Sequence, residues 1–133
     1  MADPDVFIVD THALVWHLGQ SPNLGRAAAC ILSDPGSELV IPSIVLAEAR
    51  YLSAKKPPRV SWEEVLLFLR SARQLSIFPL DEETISELPV ELEMQDAIVC
   101  AAAAYWRDVL LRQPAVLTKD GEIVKSGLIK TLW

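Results

Sequence analysis

The stretch VFIVDTHALVWHL, residues 6–18, decides the fold class. Its opening, VFIVD, is apolar without alternating polar positions, which is how a strand buried on both faces of a parallel sheet reads. Asp10 ends the strand, and THALVWHL continues at once with helical spacing. A strand that passes directly into a helix is the start of a crossover unit, because parallel strands cannot be joined by a tight hairpin.

The same alternation recurs downstream. After a Gly/Ser/Pro/Asn break at residues 19–23, RAAACIL reads as a second helix. ELVI (38–41) is the second strand; Pro42 and Ser43 stop it and cap a helix running to about Ala54, which KKPPR (55–59) breaks. SWEEVLLFLR opens on Ser61 and Glu64, spaced as a capping box, with Val65, Leu66 and Leu69 on one stripe. LSIFPL (75–80) is strand-like, and Pro79 places it at an edge or at a strand end. Asp81 caps a short helix, EETISEL, closed by Pro89. Met94 to about Val109 is the best helix former, with four consecutive alanines, Ala101–Ala104. Ala115–Thr118 is the next strand, and IKTLW (129–133) a last one. Strands alternating with helices predict an α/β fold of three layers, α/β/α, around a central parallel sheet.

With 133 residues the chain is read as a single domain, 1–133, large enough to bury a core without disulfides. Hydrophobic residues make up 51% and charged residues 23%, which excludes a disordered chain or a coiled coil. Cys30 and Cys100 lie far apart in apolar surroundings and are expected as buried free thiols. The N-terminus has no basic leader, and no apolar run reaches membrane-spanning length, so a cytoplasmic protein without membrane contact is expected. A net charge of −6 argues against loose binding to nucleic acid, so any RNA contact must be local. The same acidity suits a basic protein partner.

In parallel α/β sheets, ligands bind beyond the carboxyl ends of the strands, where strand order reverses. Asp10 and Asp120 each follow a buried strand and should emerge on that rim. Glu48 lies within IVLAEARYL, with Ile44 and Leu52 one turn to either side, so its charge calls for a cationic neighbour. Asp96 falls in the first turn of the alanine-rich helix, where the helix dipole favours a negative group. Singly, each has a structural reading: Asp10 and Asp120 as caps or turn residues, Asp96 as dipole stabilisation, Glu48 as an ion pair with Arg50 or a lysine. Together they differ. Two carboxylates about 5 Å apart repel by roughly 3 kcal/mol at an effective dielectric near 20, so four without a cation rival the stability of a small domain, about 5–15 kcal/mol. A divalent ion removes that cost. An all-oxygen donor set points to Mg²⁺ or Mn²⁺, and a phosphodiester is the natural substrate for hydrolysis by metal-activated water.

Four segments carry a resemblance to a known family: FIVDTHALVW, PSIVLAEARYL, QDAIVCAAAAYW and LTKDGEIVKSGLIKTLW. In order and spacing they resemble the PIN-domain ribonucleases, most closely the VapC-type toxins of bacterial toxin–antitoxin pairs, over nearly the whole chain. The resemblance implies metal-dependent endonucleolytic cleavage of RNA, with Asp10, Glu48, Asp96 and Asp120 as catalytic, metal-holding acids. It makes Thr11 and Thr118 the hydroxyls that orient a carboxylate or a metal water. It also implies a cognate VapB-like antitoxin and a homodimer. One segment departs from the pattern: many relatives carry arginine after the third acid, where Ala97 stands here, with Gln95 before Asp96.

Other residues carry less. His12 and His17 lack the spacing of a zinc helix and are read as surface or packing residues, with substrate contact as the lesser alternative for His12 because it is close to Asp10. Trp16, Trp62, Trp106 and Trp133 are read as core or interface anchors rather than base-stacking platforms. Lys55, Lys56 and Arg59 form a solvated basic loop. Two other classes compete with the nuclease. A receiver-type phosphoacceptor would use Asp10, Asp81 and Lys119, but has no need of Glu48. A catalytically inactive module would keep the acidic pocket for a basic partner.

Overall fold

In the computed structural model, which describes residues 3–71 and 73–133, five short strands form one sheet, all parallel. They are β1 (Val6–Val9), β2 (Leu39–Pro42), β3 (Leu75–Phe78), β4 (Pro114–Leu117) and β5 (Thr131–Leu132), in the spatial order β3-β2-β1-β4-β5. The apolar runs account for the central three strands. Val6, Ile8, Val9, Leu39, Val40, Ile41, Val116 and Leu117 have no exposed surface, as strands covered on both faces require.

The chain moves from β1 to β2 to β3 in one direction, then returns to lay β4 on the other side of β1. The switch point therefore lies between β1 and β4. Helices α1 (Thr11–Leu18), α2 (Arg26–Ser33), α3 (Ser43–Ser53) and α4 (Trp62–Leu69) connect the first three strands. Helices α5 (Glu82–Ser86), α6 (Met94–Asp108) and α7 (Gly121–Ser126) serve the return. Right-handed crossovers made in opposite directions put these two groups on opposite faces, which gives the three layers. Among the described residues no helix is long and apolar enough to cross a membrane.

Several local expectations are refined. Pro79 lies just past β3, which ends at Phe78 and is an edge strand with Ser76 and Ile77 exposed. The last strand shrinks to Thr131–Leu132. Pro42 closes β2 and also stands as the N-cap of α3, without a side-chain cap bond. Cys30 corrects the reading of two buried thiols: it is exposed, whereas Cys100 is buried. Ala28 and Leu32, one turn apart, take the inner face of α2 and turn Cys30 outward. Helix α7 was not foreseen. Asp120 caps it, and Gly127 ends it in the left-handed region at φ 65°, a conformation glycine adopts without a side-chain clash.

Candidate active site

The site starts from strand register. Val9 of β1 pairs with Leu117 of β4, so the next residues, Asp10 and Thr118, leave the sheet side by side. The Thr118 hydroxyl donates to Asp10 Oδ2 at 2.7 Å, and the Thr11 N–H donates to Asp10 Oδ1 at 2.8 Å. Thr118 Oγ also accepts the Asp120 N–H at 3.0 Å, so one buried hydroxyl joins both strand ends. Asp120 Oδ1 in turn accepts the Glu122 and Ile123 N–H groups, capping α7. The capping role and the rim position thus coexist in Asp10 and Asp120. Each Asp10 oxygen spends one lone pair on protein donors and keeps one.

Asp96 reaches the same rim from the first turn of α6, which packs on β4, β1 and β2. Its carboxylate is buried, and Oδ2 has no hydrogen-bond partner. Burial, then the charges of Asp120, Asp10 and Glu93, raise its pKa to about 6. Cys100, one turn further along α6, senses the same field. Burial pushes its thiol up to about 11, with Asp96, Asp10 and Asp120 adding to the shift. Three acids from three elements therefore converge.

Glu48, half-buried on α3, joins them through neutral groups. Its Oε1 accepts the Thr11 hydroxyl at 2.7 Å and the Gln95 side-chain amide, and Gln95 Nε2 also donates to Thr11 Oγ at 3.2 Å. The expected cationic neighbour of Glu48 is not there: among the described residues it makes no salt bridge. A hydroxyl and an amide satisfy one oxygen instead. In the sequence Gln95 stands out only as a flank of Asp96. It lies 47 residues from Glu48, and only the crossover topology brings the two together.

Among the described residues, no group of three or more His, Cys, Asp or Glu side chains closes into a ready-made ion cage. Asp10, Asp96 and Asp120 are near enough for their charges to act on one another, and Asp96 Oδ2 is the oxygen among them left without a partner. A groove of about 670 Å³, lined by Ile77, Phe78, Tyr105 and Val109 among others, contains none of the four acids. Asp81 is exposed and caps α5 through the Thr84 N–H, at the end of an edge strand separated from β1 by β2.

Comparison with known proteins agrees with this architecture. No curated protein matches the sequence. Among solved structures, a chain of VapBC2 from Rickettsia felis, crystallised bound to a DNA fragment from their promoter, is similar at TM-score 0.66 and 16% identity. The similarity covers 96% of this chain and 97% of that one. The PIN domain family model matches residues 7–125. The chain belongs to the PIN domain family.

Proposed function

We propose that residues 1–133 act as one catalytic unit, a metal-dependent endoribonuclease serving as the toxin of a toxin–antitoxin pair. The observation that carries the reading is the meeting of Asp10, Asp96 and Asp120 at the switch point, with a buried carboxylate oxygen that no protein group satisfies. An unpaired buried acid of this kind costs stability unless a cation compensates it. The donors suit Mg²⁺ or Mn²⁺, hard ions that keep several waters and need only one or two direct carboxylates. When bound, such an ion supplies Lewis-acid stabilisation of phosphate charge and lowers the pKa of a water.

The chain's own residues prepare that chemistry. Thr11 and Thr118 fix the Asp10 carboxylate from both sides, and Thr118 ties the Asp120 backbone to it. Gln95 and Thr11 hold Glu48 by one oxygen and leave Oε2 without a protein donor among the described residues, available to a water or an ion. The likeness to VapBC2 supports a protein antitoxin as partner, and the acidic rim suits a basic antitoxin segment; a homodimer enters the proposal through the family resemblance alone.

The test is RNA cleavage by the purified chain with Mg²⁺ or Mn²⁺. Cleavage should stop in EDTA, return with added metal, and fall at least about a hundredfold in Asp10→Asn, whose amide keeps the shape but loses the charge. Cleavage that survives EDTA or Asp10→Asn unchanged would refute the proposal.

A further inference from the structure

We propose that Lys119, Trp16 and His12 form a nucleotide-binding shelf beside the acidic rim, taking a phosphate and a base of the single-stranded RNA next to the bond attacked. The inference rests on the ribonuclease reading and extends it to how RNA is held. The chain's charge of −6 repels RNA, so a strand approaching the rim needs a local cation. Lys119 is placed to supply it. It lies between Thr118, whose hydroxyl holds Asp10, and Asp120 itself, and it is exposed. Among the described residues it makes no salt bridge. Its ammonium instead rests 4.5 Å from the centroid of the Trp16 ring.

That platform is held from behind. Trp133 meets Trp16 edge-on at 5.7 Å and 67°, and the Trp133 carbonyl accepts the Ala27 N–H at 3.2 Å. Gly25 lets Trp133 approach this closely: a Cβ there would stand 2.2 Å from the Trp133 carbonyl carbon. On the outer side His12, exposed and directly after Thr11, packs on Trp16 at 5.1 Å with a tilt of 44°. A fixed cation and an exposed ring next to one another match a backbone phosphate and its base, and stacking of this kind requires an unpaired strand.

The experiment measures binding of a fluorescein-labelled single-stranded RNA to the full chain carrying Asp10→Asn, in Mg²⁺, across a salt series. Lys119→Gln should weaken binding and reduce the slope of log affinity against log salt by about 0.7, the share of one phosphate contact on a single strand. Lys119→Arg should keep the slope. His12→Ala should weaken binding at least about fivefold with the slope unchanged, and His12→Phe should restore it. Trp16→Leu should reproduce the Lys119→Gln effect, and Mn²⁺ affinity in the chain with Asp10 intact should stay within about twofold for all these variants. Folded Lys119→Gln with unaltered slope and affinity overturns the shelf, since the lysine stem then only covers the indole. If the unmodified chain cleaves RNA while that result holds, the ribonuclease reading stands and the shelf alone falls. If it neither binds nor cleaves RNA, both fall.

Discussion

Asp96 is subject to two opposed effects. Its place in the first turn of α6 sets it near the positive end of the helix dipole, worth about 0.3–1 kcal/mol to an ionised carboxylate. Burial and the charges of Asp120, Asp10 and Glu93 outweigh this and raise its pKa from 3.8 to about 6. A raised acid pKa means that the folded chain holds a proton which the unfolded chain has already released between about pH 4 and 6. Stability in the absence of metal therefore falls as pH rises through that window and stays reduced above it. Asp96→Asn should melt close to the unmodified chain at pH 4 and several degrees above it at pH 7.5, both in EDTA. Equal melting temperatures at both pH values would show that Asp96 is not under this strain. Asp10 and Asp120 were legible in the sequence because Asp10 follows the buried run of β1 at once and Asp120 comes just past that of β4, after Thr118 and Lys119. The neutral partners of Glu48 were not, because nothing local marks Gln95 as its neighbour.

Helix α6 shows what the elements contribute. Its run from Ala97 to Ala103 is buried on nearly every side, and Ala102 and Ala103 have no exposed surface. Small side chains let the helix lie close to β1 and β4, and that closeness brings Asp96 to the rim. Ala102→Leu should therefore overpack the helix–sheet contact, at a cost of about 1–3 kcal/mol, and weaken Mn²⁺ binding by displacing the first turn. Ala104→Leu, at a half-buried position lining the groove beside β3, should change stability by no more than about 0.5 kcal/mol. Denaturant melts and a metal titration on both variants check the contrast; equal losses would mean that the alanines do not set the helix height. The alanine run made α6 readable in the sequence, and the apolar runs did the same for the strands. Helix α7 escaped because its six residues are too few to show a period. Only its end signals, the Asp120 cap and Gly127, mark it, and an aspartate there fits a cap or a turn equally well.

At the scale of the whole molecule, acidity and topology act on the same point. The return of the chain past β1 brings distant segments to one rim, where the charges of Asp120, Asp10 and Glu93 add up on Asp96. A ligand that binds only the folded rim stabilises the fold by mass action, by about 2.7 kcal/mol at a hundred times its dissociation constant. Mg²⁺ or Mn²⁺ should thus raise the melting temperature by several degrees at pH 7.5, and EDTA should reverse the gain. The gain should shrink below about pH 6, where Asp96 holds a proton that an ion must displace, and should be lost in Asp10→Asn. Added salt at matched ionic strength separates this from general screening, which should move the unmodified chain and Asp10→Asn alike. A metal-induced rise that is the same in both chains would place the ion elsewhere on the acidic surface and leave the rim without its proposed occupant.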